Sequence, residues 1–421
     1  MGIEKVTHIF KNDLHSLVKN PAVMITIIVI IILPSLYALL NVEACWDPYG
    51  NTDNLDFAIV NNDINSTYNG KSLNFGDQVV DELKKNDDFD WKFVSEDNAR
   101  LGVENGSYYA AIIIPENFTQ DILSIDSQNP SKTSLTYLIN EKTNPVASRM
   151  SNNVANEIQE KINYKVIQTV DSVAFKQLAQ LGQATQQSPL VQLNMVNETG
   201  VDDYFYSPVD IDREEMFSVE NYGSEVSPFY IVLSIWVGCV ISVALIKTRY
   251  LGQSKYTPLE LYFGRMGLFI LIALLQSTVT LIGAFWLGIQ IENPVLFIAF
   301  TYMITVVFIV LIYSFVSIFG NAGKAIAIVL LVFQISSTNG IYPVYVMNSF
   351  LQTISPVLPM TYAIDLLRNA LLGMYWPNAM PDIYVLVGIL MGILLISILI
   401  KELFDKAANK FEQSLIDSGL F

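Results

Sequence analysis

Six apolar runs govern what this chain can become. A helix needs roughly 20 apolar residues to cross the ~30 Å hydrocarbon core of a bilayer. The runs extend from Ala22 to Leu40, Phe229 to Ile246, Leu261 to about Gly288, Val295 to Phe319, Lys324 to the polar stretch beginning at Ser336, and Ile383 to Ile400. The fifth is short, because Ser336, Ser337, Thr338, Asn339 and Gly340 end its apolar character. The first is expected to remain in the protein: no small-residue cleavage site follows it, and a polar-amphipathic segment precedes it. Charged residues make up only 15% of the chain, against roughly 25% in soluble domains. With 23 Phe and 21 Tyr, a disordered chain is excluded. Two cysteines, Cys45 and Cys239, do not make a disulfide framework.

Lysine and arginine in short loops decide orientation. Lys5, Lys11 and Lys19 flank the first run; Lys247, Arg249, Lys255 and Arg265 surround the second-to-third connection; Lys324 separates the fourth and fifth; Lys401, Lys406 and Lys410 follow the sixth. Six spans with both termini cytoplasmic put all of these on one side. Residues 1–21 carry Ile3, Val6, Phe10, Leu14 and Leu17 at helical spacing opposite a polar face. Such a helix suits the inner membrane interface, either as a defined elbow or as a simple topogenic anchor.

Between Asn41 and Val226 stand 30 Asp and Glu against 12 Lys and Arg, a net of −18, while the whole chain carries −16. A block so acidic argues against nucleic acid, which needs a basic face. It is expected to be an extracellular α/β domain inserted between the first two spans. Strands are predicted at Leu55–Val60, Phe89–Val94, Tyr108–Ile114 and Leu135–Ile139. Helices at Leu73–Lys85, Ser95–Gly106 and Glu116–Ile125 alternate with them. A long helical stalk follows, to about Gln187, with Met150, Val154, Ile158 and Ile162 on one stripe. The resulting divisions are 1–21, 22–40, 41–226, a five-helix transmembrane part at 227–400, and a tail at 401–421.

Signs of catalysis are few. Gly320 to Lys324 has the wrong spacing for a nucleotide-binding loop, and no strand precedes it. His8 and His15 are the only histidines, both in the amphipathic segment. No catalytic, cofactor or metal site is assigned, and the chain is read as a non-enzyme. Ionisable residues at membrane depth are costly and usually paired or functional. Asp365 and Arg368, spaced i, i+3 after Pro356 and Pro359, can pair on one helix face. They form either a structural ion pair near the outer interface or an outer gate, on half-helices near residues 339–378.

The residues from Ala44 to Asn51, Leu73 to Asp77, Asp90 to Val94 and Gly106 to Phe118 closely resemble the YhgE/Pip family of phage infection protein-like membrane proteins. The stretch from Tyr342 through Pro356 and Pro359 to Arg368 is similar to the membrane domain of ABC type-2 exporters. The resemblance implies six spans, a large exterior insertion after the first, and gate half-helices between the fifth and sixth. It also implies a plasma-membrane permease dimer, homomeric or heteromeric, driven by a separate ATP-binding subunit. That subunit would dock on the inner loop at Lys247, Arg249, Lys255 and Glu260 and on the N-terminal helix. The cargo would be an amphiphile or cell-envelope component. The alternative is a surface scaffold or receptor, for secretion machinery or phage, without a transport cycle.

Overall fold

The computed structural model describes residues 2–47, 55–68, 71–85, 90–124, 131–139, 156, 158–160, 163–164, 217–249, 255–340 and 342–417. The chain divides into two compact units, Met1–Asp47 with Glu215–Phe421, and Pro48–Glu214.

The first unit is helical. Its elements are α1 (Ile3–Lys19), α2 (Pro21–Ala44), α6 (Tyr222–Leu245), α7 (Pro258–Leu287), α8 (Pro294–Phe319), α9 (Asn321–Ser337), α10 (Ser349–Ile354), α11 (Pro359–Leu372) and α12 (Trp376–Asp417); α3 to α5 belong to the other unit. Among the described residues five helices are long and apolar enough to cross a membrane: α2, α6, α7, α8 and the first 30 residues of α12. The fifth sequence run, α9, has 17 residues and is shorter than these. The sixth does not stop at Ile400. Its helix continues to Asp417, because residues 401–417 contain neither Gly nor Pro, so the segment expected as a tail is a helical extension.

This unit is apolar on its outside, and its interior is an apolar core crossed by hydrogen-bonded polar pairs. Ile25, Val29, Leu33, Leu36 and Leu40 are exposed along α2, and Val387, Met391, Leu395 and Leu399 along α12. Apolar stripes of that length are stable against hydrocarbon and not against water. Inside, Ser277 and Thr305 share a hydrogen bond, Tyr262 and Ser314 another, and Tyr313 donates to the Tyr262 carbonyl at 2.8 Å. These bonds join α7 to α8. The chain is therefore an integral, multi-pass membrane protein.

Three prolines lie inside the spans, Pro34, Pro228 and Pro381, and the carbonyls released by the first two find donors. Pro34 removes the N–H that would serve Ile30 in α2. Gln276 of α7 replaces it, its Nε2 donating to the Ile30 oxygen at 2.9 Å. Pro228 likewise frees Ser224 in α6, whose oxygen accepts from the Ser227 hydroxyl at 2.9 Å. The helix continues through Pro34 because its neighbours satisfy the backbone. Close approach completes the packing: a Cβ at Gly238 of α6 would lie 2.6 Å from the Pro34 ring.

The second unit carries a four-stranded sheet, order β4-β1-β5-β6, from β1 (Asp56–Asn61), β4 (Asp90–Phe93), β5 (Ala110–Ile114) and β6 (Thr136–Ile139). β1 runs parallel to β4 and β5, and β6 is antiparallel to β5. All five residues of β5 are buried, as a strand covered on both faces requires. Alternation sorts them. Phe57, Ile59, Ala110, Ile112 and Ile114 pack with Phe75, Val79 and Leu83 of α3 (Phe75–Leu83), Phe118 of α5 (Phe118–Leu123), and Ile158. Ala58, Val60, Ala111 and Ile113 pack with Ala99 and Val103 of α4 (Glu96–Asn105). The expected order lacks one feature, an antiparallel hairpin of β2 (Ser66–Tyr68) and β3 (Lys71–Leu73). Of the long helical stretch toward Gln187, residues 156, 158–160 and 163–164 are helical, and the rest lies outside the described residues.

Candidate functional site

The helical unit has two ends that carry its charged side chains. At one end, α9 finishes at Ser337, and two 3-10 turns (Val344–Val346 and Ser355–Val357) flank the single-turn helix α10. Then α11 begins, with Pro359 at its first position, where a missing N–H costs nothing. The start of α11 is held to the last turn of α9: the Met360 N–H donates to Gln334 Oε1 at 3.1 Å. Its last carbonyls, Ala370 and Leu371, accept from the backbone N–H groups of Asn293 and Glu292 in the α7–α8 turn. Pro356 contributes its carbonyl, which accepts from the Tyr362 hydroxyl at 2.6 Å.

Asp365 and Arg368 do pair, at 2.6 Å between Nη1 and Oδ1. The guanidinium does more than neutralise its neighbour. Its Nη2 donates to the Asn339 carbonyl oxygen at 2.7 Å, just beyond the end of α9, and Asn339 Nδ2 lies 3.4 Å from Asp365 Oδ1. Arg368 thus clamps α11 to the end of α9. Both side chains keep about a third of their surface in contact with solvent. The pair therefore contributes less stability than a dry one, and more geometry than energy.

At the other end lie the four loop residues expected to receive a partner. Lys247 and Lys255 are exposed. Arg249 and Glu260 are buried within the chain. Arg249 donates from Nη1 to the Ile318 carbonyl at the close of α8, and from Nη2 to both the carbonyl and Oδ1 of Asp405 in α12, each at 3.0 Å. Lys401 reaches the same Asp405 Oδ1 at 3.0 Å and the Ser317 carbonyl. Orphan carbonyls at a helix end attract cations, which draws Arg249 inward. Glu260 stands at the third position of α7 and closes a capping box with Thr257. It also accepts from the Gly2 N–H at 3.2 Å and lies 3.5 Å from Lys5, which leaves its charge engaged within the chain.

The amphipathic α1 packs on α7 through Ile9, against which a Cβ at Gly264 would press at 2.7 Å. Asp13 accepts from Arg265 Nε of α7 at 3.2 Å, with both side chains nearly buried. Burial raises the Asp13 carboxyl above its usual range, opposed by the Arg265 charge. Asn339, Gln334, Asp13, Arg265, Lys401 and Asp405 were not foreseen as site residues. The i, i+4 spacing of Lys401 and Asp405 could have flagged that pair. Asn339 was visible only as part of the polar break after the fifth run; it meets the pair through both its carbonyl and its side-chain amide. Among the described residues no group of three or more His, Cys, Asp or Glu side chains could hold a metal ion.

Comparison with known proteins adds relatives to this geometry. The chain is 32% identical over 160 residues to the uncharacterized protein YhgE of Bacillus subtilis (strain 168), a match covering 38% of this chain and 21% of that protein. It is 30% identical over 128 residues to the type VII secretion system accessory factor EsaA of Staphylococcus aureus (strain USA300), covering 30% of this chain and 13% of that protein. These curated relatives are thus matched over a small part of their own length. No solved structure matches the chain. A family model described as ABC-2 family transporter protein matches residues 23–400, from the start of α2 through the membrane-crossing part of α12. The chain belongs to the ABC-2 transporter membrane family.

Proposed function

We propose that this chain is the permease subunit of an exporter. It works with a separate ATP-binding subunit and moves an amphiphile or cell-envelope component out of the cell. The family match over residues 23–400 carries the reading. It is supported by the sequence, in which no nucleotide-binding loop precedes a helix. In this reading the motor is a different chain.

In this reading α9 is a sixth crossing. Lys324, near its start, lies 3.5 Å from the Ala244 carbonyl at the close of α6, and Asn339, just past its end, meets Arg368. The end bearing Lys247, Lys255, Lys324 and Lys401 is cytoplasmic by the positive-inside rule, with both termini there. The acidic α/β unit is extracellular. The Arg368 clamp is an outer gate built on half-helices, with Pro356 and Pro359 setting their breaks, and Lys247, Lys255 and α1 offer the inner docking surface. Two permeases pair to enclose one pathway.

Cysteine accessibility in intact cells tests the orientation. Lys255→Cys and Lys410→Cys are expected to resist a membrane-impermeant maleimide until the cells are opened. Labelling of the Lys255 site in intact cells overturns the arrangement. A photocrosslinker at Lys247 is expected to capture an ATP-binding protein. The EsaA match over 128 residues favours a second reading, a secretion-machinery scaffold, in which that crosslinker captures no ATP-binding protein and secretion components copurify instead.

A further inference from the structure

We propose that Arg249 is a positioning residue that fastens the chain just past α6 to the ends of α8 and α12, so that residues 246–249 and those helix ends move as one body. The permease reading supplies the force that would move the loop; the fastening itself stands on geometry.

The loop leaves α6 at Leu245, and Lys247 points to solvent while Thr248 and Arg249 turn inward. One guanidinium then holds three groups, the Ile318 carbonyl and both the carbonyl and carboxylate of Asp405. Its planar fork suits this task, and an ammonium would not span all three. Lys401 closes the other side by joining Asp405 to the Ser317 carbonyl. Both cations reach the Asp405 carboxylate, and the carbonyls at the negative end of the α8 dipole accept from both.

The fastening extends further. Arg265 of α7 reaches the Arg249 carbonyl at 3.5 Å through Nη1 while its Nε holds Asp13 of α1. A push on the exposed Lys247 or on α1 is thereby delivered to α8 and to α12. From there α12 runs back through Pro381 to Trp376 and packs against α11. Surface docking and inner transmission are in this way divided between adjacent residues, Lys247 outside and Arg249 inside.

The test uses the full chain in lipid nanodiscs and hydrogen exchange read by mass spectrometry, with no motor or cargo required. In Arg249→Met, peptides carrying Lys247 and peptides from residues 402–417 are expected to exchange faster together, on the order of tenfold. Peptides from the middle of α6 and α7 are expected to keep their wild-type rates, which a general loss of folding would not allow. Arg249→Lys should restore part of the protection. Asp405→Asn is the milder variant should Arg249→Met fail to fold, and it should loosen the same two segments. The double variant should be no faster than the worse single one, because both remove the same link. Loop peptides that accelerate while residues 402–417 do not, or single effects that add, overturn the proposal. Loss of ATP-driven movement in the wild-type chain would instead sink the permease reading and leave this link standing.

Discussion

Gln276 donates to the carbonyl oxygen of Ile30 at 2.9 Å, the oxygen that Pro34 deprives of its helical N–H. Two helices far apart in sequence are joined by the repair of one backbone defect. In Gln276→Leu that carbonyl would stay buried without a donor, a loss of about 1–3 kcal/mol. In a Pro34→Ala background the restored N–H of residue 34 can serve Ile30 directly. The Gln276→Leu cost is therefore expected to shrink there. Unfolding equilibria of the four variants in mixed micelles measure this, and an equal cost in both backgrounds would refute the coupling.

The clamp gives a second test. Arg368→Ala removes the cation from Asp365 and the donor from the Asn339 carbonyl. It and Asp365→Ala are expected to impair movement of cargo while insertion and subunit association persist. Exchanging the two residues should restore only part of the activity. The pair can re-form, but an aspartate at 368 cannot donate to a carbonyl. Normal movement in both single variants removes the gate from the account.

In the α/β unit Ile113 is 4% exposed, between β1 and α4. Ile113→Asp places an unpaired charge there and is expected to destabilise the unit by on the order of 3–5 kcal/mol. A fragment ending at Ile139 should itself be weakened, since Ile158 is buried against Phe57, Ile59 and Phe75. Extending it through residue 165 should restore a cooperative melt. An unchanged melt in Ile113→Asp would mean that this strand faces elsewhere.

Much of this was legible because it is local or periodic. The apolar runs located the long helices, closely for α7 and α8, whereas α6 begins at Tyr222, ahead of its run, and α12 extends from Trp376 to Asp417 around a run of Ile383 to Ile400; the run from Tyr108 to Ile114 announced a buried strand. The hairpin of β2 and β3 was missed although Asn69-Gly70 separates its strands, a pairing that favours tight hairpin turns. The site divides in the same way. An i, i+3 spacing made the Asp365–Arg368 pair visible. Arg249 looked like a surface cation because its partners, Ile318 and Asp405, lie 69 and 156 residues away. Side chains that satisfy distant backbone carbonyls leave no pattern in sequence.

The central claim is that this chain forms a pathway powered by another subunit. The direct measurement is movement of a fluorescent phospholipid, chosen as a representative amphiphile, across vesicles holding the full chain and the ATP-binding protein captured at Lys247. ATP is expected to drive net movement that stops when the captured protein is omitted or ATP is replaced by a non-hydrolysable analogue. Movement that is absent, or equal with and without ATP, contradicts the account.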